Sequence, residues 1–227
     1  MKRLEEQLRK GLIVSCQALE DEPLYGSNIM KQMAIAAEQG GAVGIRANSP
    51  EDIRTIKESV SVPVIGLYKR FYSDSDIYIT PTVEDVKKIV EAGSDIIAFD
   101  ATHRERPDGV DLDDFVQRVK HYYPDIKLLG DVSTLEEGLY AERLGLDFIS
   151  TTLSGYTKET EHINEFDFQL LKQLVEKCET PIVAEGRVDT PEIAKRCLDE
   201  GAFAVVVGTM ITRPQEITKR FVQAIKS

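Results

Sequence analysis

The sequence predicts an α/β fold in which eight parallel strands close into a (β/α)8 barrel, the TIM-barrel architecture. Three observations predict it. Four helical stretches end at glycine and are followed at once by an apolar run: Gly40–Ile45, Gly93–Phe99, Gly145–Ile149 and Gly201–Val207. A helix stopped by glycine and followed by a buried strand is half of a βαβ unit, and repetition of that unit yields a wholly parallel sheet. The chain has 227 residues, an ordinary length for one such barrel, read here as a single domain over 1–227. The competing doubly wound sheet usually has an early G-x-G-x-x-G turn, and the first turn, Cys16-Gln17-Ala18-Leu19, carries none.

The elements follow in order. The N-terminus, Met1 to Leu8, is charged and helical in pattern and lacks the apolar core of a leader peptide. Leu12–Ser15 reads as the first strand, ending at Cys16-Gln17, and Ser27–Gln39 as a helix. The second strand is Ala42–Ile45, with Arg46 at its exit. Ser49-Pro50-Glu51-Asp52 opens the next helix with a cap, a first-turn proline and acids that suit the dipole. Val64–Leu67 is the third strand, with Lys69 just beyond it. A helix from Thr82 to Gly93 leads to the fourth strand, Ile96–Phe99, with Asp100 at its exit. Asp111–Tyr122 is helical, Ile126–Leu129 is the fifth strand, and Gly130-Asp131 follows it.

Thr134-Leu135-Glu136-Glu137 has capping-box spacing and starts a helix that runs to Gly145. The sixth strand, Asp147–Ser150, leads into Thr151–Tyr156 and a helix from Phe166 to Cys178. The seventh strand, Ile182–Ala184, ends at Glu185-Gly186-Arg187, and Thr190-Pro191-Glu192 caps another helix. The eighth, Ala204–Val207, ends at Gly208-Thr209, and Pro214 begins a closing helix.

Composition narrows the possible functions. Lys plus Arg number 28 against 39 Asp plus Glu, a formal charge of −11, which disfavours nucleic acid and anionic membranes as partners. A small anion is still compatible, because a few cations and backbone N–H groups suffice to hold one. No run of 18 residues is apolar, so no membrane span is expected. Cys16, Cys178 and Cys197 form neither a disulfide framework nor a metal pattern and suit a reducing cytoplasm. His103, His121 and His162 are scattered without metal spacing, so no metal site is expected.

In a barrel, catalytic side chains gather at the C-terminal ends of the strands. Here those exits carry Gln17, Arg46, Lys69, Asp100, Asp131, Ser154-Gly155, Glu185-Gly186-Arg187, Gly208-Thr209 and Arg213. Any one alone reads better as a solvated loop residue, Lys69-Arg70 as a plain surface pair; the set converges on one mouth. Gly186, Arg187, Gly208 and Thr209 occupy the last two turns, where glycine lets backbone N–H groups approach a phosphate, and Arg213 can add a bidentate clamp. Lys69 and Glu185 sit on the third and seventh exits, opposed across an eight-stranded ring. An amine with a lowered pKa can take a proton from carbon beside a carbonyl, and a carboxyl group opposite can move one at the carbonyl oxygen. Arg46 and Asp131 would orient polar arms of a substrate. A Schiff-base aldolase using Lys69, and a non-catalytic sugar-phosphate sensor, are compatible with the same residues.

Those residues also carry a resemblance. Gly11–Ala18, Gly44–Ala47, Pro63–Lys69, Phe99–Pro107, Gly130–Thr134, Leu153–Thr157, Ala184–Arg187 and Val207–Pro214 are together similar to the bacterial N-acetylmannosamine-6-phosphate 2-epimerases, over essentially the whole chain. The resemblance implies a TIM barrel that interconverts N-acetylmannosamine 6-phosphate and N-acetylglucosamine 6-phosphate in sialic acid and amino-sugar catabolism. It implies a homodimer that uses no metal or organic cofactor and takes a phosphorylated amino sugar. On the matching positions, Lys69 would be the acid/base at C2 with Glu185 as its partner in proton transfer. Gln17, Arg46 and Asp131 would contact substrate, and Gly186, Arg187, Gly208 and Arg213 would surround the phosphate.

Overall fold

The computed structural model describes residues 4–107 and 109–226; the first three residues of the expected N-terminal helix lie outside them. Eight strands, β1 (Leu12–Cys16), β2 (Gly44–Asn48), β3 (Val64–Leu67), β4 (Ile96–Asp100), β5 (Lys127–Asp131), β6 (Phe148–Ser150), β7 (Ile182–Ala184) and β8 (Ala204–Val207), form a closed barrel in sequence order. Every neighbouring pair is parallel, and β1 closes the ring on β8. The connecting helices are α2 (Ser27–Gln39), α3 (Pro50–Lys57), α4 (Val83–Glu91), α5 (Leu112–Tyr122), α6 (Leu135–Arg143), α7 (Phe168–Lys177) and α8 (Pro191–Asp199). A short α1 (Leu4–Leu8) precedes the barrel, while α9 (Thr209–Thr212) and α10 (Pro214–Lys226) follow it. Among the described residues, no helix is long and apolar enough to cross a membrane.

The helix starts are set by local chemistry. Ser49, Thr82, Asp111, Asp167 and Thr190 each accept a hydrogen bond from the backbone N–H three residues on. Thr134 and Glu137 close a full capping box. Such caps satisfy donors that have no partner inside the helix.

Strand alternation divides the apolar residues into two cores. Ile13, Ile65, Leu67, Ile96, Ala98, Leu129, Phe148, Val183 and Val206 fill the barrel interior, with Leu8 of α1 packed among them. Val14, Ile45, Val64, Ile97, Phe99, Leu128, Ile149 and Val205 face outward onto the helices. The inward parity of Ile65 and Leu67 carries forward to Lys69, so the barrel wall itself turns that side chain toward the mouth.

The strands run further than the sequence suggests. Arg46 lies inside β2, opposite Ser15 on one side and Ile65 on the other, because pairing continues to Asn48 opposite Leu67. Asp100 and Asp131 are likewise the last residues of β4 and β5 and face each other in register.

Candidate active site

The mouth of the barrel holds a cavity of about 440 Å³, within the size range of small-ligand sites. Gln17, Arg46, Lys69, Glu185, Gly186, Arg187, Gly208, Thr209 and Arg213 all line it. The amine after β3 and the carboxyl group after β7 therefore share one compartment.

Arg46 anchors the floor. Its guanidinium is 1% exposed and reaches across the barrel to Asp131 as a two-pronged pair, at 3.0 Å and 2.5 Å. The same terminal nitrogen donates to the Glu185 carboxylate at 2.5 Å and to Thr152 Oγ1 at 3.3 Å. Thr152 in turn donates to Asp131 at 2.6 Å. One cation thus serves a fully buried carboxylate, Asp131, and a partly buried one, Glu185. Burial raises the pKa of both and Arg46 pulls them back down, while the charge of Asp100 adds to the rise at Asp131 and that of Asp131 to the rise at Glu185. A buried pair of this kind requires good geometry on every atom to offset its desolvation. Asp131 is wholly buried beneath Arg46 and does not line the cavity; it acts on the site through the guanidinium.

The Lys69 amine donates to no described residue. Burial, with Arg213 and Arg46 nearby, lowers its pKa from 10.5 to about 8, while Glu185 and Glu22 pull the other way. A sizeable neutral fraction near physiological pH is what a proton-abstracting amine needs. Gln17, which lines the cavity, donates from Nε2 to Ser15 Oγ at 2.9 Å.

The two glycine turns differ in cause. Gly186 has φ +94°, a conformation costly for other residues. Gly208 has an ordinary φ, but a Cβ there would meet Ser15 Cβ at 3.2 Å, so it is small because backbone and β1 approach closely. The backbone N–H groups of Gly186, Arg187, Thr209 and Met210 find no acceptor among the described residues. These donors, from two adjacent turns, form an anion-seeking rim.

Ser154 and Gly155 lie outside the cavity, and the Arg187 side chain, although it lines the cavity, is tied to the chain beside it. The Arg187 guanidinium donates to the carbonyls of Ser154 and Gly155 at 2.8 Å and 2.9 Å, and its carbon lies 4.1 Å from the Tyr156 ring centroid. It props the segment after β6, and its φ of +54° is strained for a non-glycine residue. Ser154 turns away from the cavity and donates to Asp167, which caps α7. Gly155, held by a bond from its N–H to Thr160, faces a second cavity of about 640 Å³ that shares Tyr78 and Tyr156 with the first. Arg213 does reach the main cavity, but Glu22 grips it with both carboxylate oxygens, at 2.7 Å and 3.0 Å.

Comparison with known proteins places this geometry. A family model described as "Putative N-acetylmannosamine-6-phosphate epimerase" matches residues 30–227. The chain belongs to this epimerase family. Among curated relatives named "Putative N-acetylmannosamine-6-phosphate 2-epimerase", that of Caldanaerobacter subterraneus is 56% identical over 97% of this chain and 93% of its own. That of Listeria welshimeri is 51% identical over 98% and 95%. A solved structure of the N-acetylmannosamine-6-phosphate 2-epimerase from Clostridium perfringens superposes with TM-score 0.94 at 49% identity, covering 98% of this chain and 96% of that one. A thiamine phosphate pyrophosphorylase from Pyrococcus furiosus, with TM-score 0.61 and 17% identity, shares the fold alone.

The cavity also includes residues that the sequence did not single out: Tyr78, Thr152, Tyr156, Asn164, Asp189 and Arg220. Glycine turns and exit charges drew attention to the strand ends, but these residues arrive from long connections and from α10. Among the described residues, no group of three or more His, Cys, Asp or Glu side chains is arranged to hold a metal.

Proposed function

We propose that this protein interconverts N-acetylmannosamine 6-phosphate and N-acetylglucosamine 6-phosphate by removing and returning the C2 proton of the ring-opened sugar. The observation that carries the reading is the unpartnered Lys69 amine, with its pKa lowered to about 8, sharing a cavity with the Glu185 carboxyl group. Ring opening exposes an aldehyde at C1, which acidifies C2–H by delocalising charge onto oxygen. Lys69 is the acid/base at C2. Glu185, whose raised pKa suits it to carry a proton, is its partner. Preorganised donors at the mouth stabilise the charge that gathers on the C1 oxygen, a contribution of several kcal/mol in such sites, and Arg46 contacts the substrate while holding Glu185 in place.

The phosphate sits in the turns of Gly186-Arg187 and Gly208-Thr209, against the backbone N–H groups of Gly186, Arg187 and Thr209, with Arg213 as its side-chain clamp. Gln17 contacts the substrate directly, and Asp131 through Arg46. Anchoring the far end of a flexible open chain holds C2 in a reactive pose. We read the protein as a single (β/α)8 domain that acts in the cytoplasm in sialic acid and amino-sugar catabolism. We further read it as a homodimer: α10 buries none of its own residues and leaves Phe221, Val222 and Ile225 exposed, a stripe suited to a second copy.

The test is incubation of N-acetylmannosamine 6-phosphate with the enzyme in D₂O. Deuterium at C2 of both sugars is expected; absence of label at high enzyme concentration refutes the reading. Borohydride in the same mixture would trap an adduct on Lys69 if the chemistry were that of an aldolase.

A further inference from the structure

We propose that Thr80, buried outside the cavity, is the positioning residue for the Lys69 amine, with Asn48 as its counterpart on the other side of the strand. The inference rests on Lys69 being the base at C2.

Lys69 lies where the barrel wall has lost its ladder. The pairing of β3 with β4 stops at Gly66 opposite Ile97, and β3 itself ends at Leu67. The chain then leaves the barrel, turns back through a short antiparallel bridge between Tyr72 and Ser75, and re-enters to pair Ile79 with Lys69. The returning residues fill the gap between the two strand exits. Thr80 N–H donates to Tyr68 O at 2.9 Å, Arg70 N–H to Tyr78 O at 2.9 Å, and Asp100 N–H to Ile79 O at 3.0 Å.

Thr80 joins the two sides. Its hydroxyl donates to Ala98 O on β4 at 2.6 Å and accepts from Tyr68 N–H at 3.0 Å. On the opposite flank, Asn48 Oδ1 accepts from Lys69 N–H at 2.8 Å. The Asn48 side chain thus holds the peptide that enters Lys69, the Thr80 hydroxyl holds the one before it, and the returning backbone of Tyr78 takes the N–H that follows, in place of a continuous sheet. Neither Thr80 nor Asn48 lines the cavity.

The backbone shows that the hydroxyl matters. Thr80 has φ +47°, a left-handed conformation that is a marked outlier for a β-branched residue. Glycine would sit there without strain but could make neither hydroxyl bond. Strain of this kind persists where surrounding structure holds it, and it clusters beside functional groups. Here it places a two-way hydroxyl one residue from the base.

The experiment compares Thr80→Val, Thr80→Ser and Asn48→Ala with the wild type and Lys69→Ala, measuring kcat and KM for the phosphorylated sugar. Thr80→Val should lower kcat about 10- to 100-fold with KM held within about twofold, because a small misplacement of a base costs turnover rather than binding. Thr80→Ser, which keeps the hydroxyl, should restore kcat to within about threefold of wild type. Folded Thr80→Val with wild-type kcat, or with a raised KM and unchanged kcat, overturns the proposal. Should Thr80→Val not fold, Asn48→Ala carries the same expectation and the same refutation. If Lys69→Ala keeps its activity, the assignment of the base fails. If Lys69→Ala is inactive and Thr80→Val is fully active, only the positioning role fails.

Discussion

Replacing Lys69 with methionine should abolish turnover and stabilise the protein. The fall in the Lys69 pKa from 10.5 to about 8 means that the fold holds the charged amine unfavourably. At about 1.4 kcal/mol for each tenfold change, the full penalty is about 3 kcal/mol. The side chain borders an open cavity, so solvent screening reduces this to about 1–2 kcal/mol. The sign follows from proton counts. Between pH 8 and 10.5, the two limits of that shift, the unfolded chain keeps a proton that the folded chain has released, so wild-type stability rises with pH there. Below the folded value the whole penalty is present. Lys69→Met should therefore melt higher than wild type at about pH 7, by about 2–4 °C for each kcal/mol, and the gap should close by about pH 10.5. Thermal melts of both proteins across that range, alongside deuterium exchange at C2, make the measurement. Equal or lower melting of the variant at neutral pH, or a gap that does not change with pH, refutes the view that burial and Arg213 disfavour the charged amine.

Arg213→Ala should raise KM for the phosphorylated sugar about tenfold or more and lower kcat by less, since Arg213 also helps to keep Lys69 neutral, as steady-state kinetics would show; an unchanged KM moves the phosphate elsewhere. Arg46→Met strands Asp131 and Glu185 without their shared cation and should cost about 3–5 kcal/mol in denaturant titration. Phe221→Asp should turn a dimer into a monomer in sedimentation; a monomeric wild type contradicts the dimer.

The fold was legible because its determinants are local. A cap such as Thr134 with Glu137 is written within four residues, and an apolar run after a glycine needs no distant partner to be seen. The strand-exit residues followed from the barrel. What the sequence concealed is pairing over long separations. Glu22 neutralises Arg213 across 191 positions, and no spacing rule reveals that. The return of residues 78–80 onto the flanks of Lys69 rests on two isolated bridges, too short for a periodic signal. Ser154 looked like a mouth residue, yet Asp167, also a helix cap, claims its hydroxyl. Asp131 was placed correctly at a strand end, but its complete coverage by Arg46 depends on how far two side chains reach across the ring.

The seam between Leu12–Val14 and Val205–Val207 joins segments nearly two hundred positions apart. During synthesis the first strand must wait, with one edge unsatisfied, until almost the whole polypeptide has left the ribosome. Shielding by chaperones should therefore matter most for this nascent chain shortly before β8 emerges, and a ribosome stalled upstream of β8 should yield a sticky, protease-sensitive intermediate rather than a smaller working enzyme.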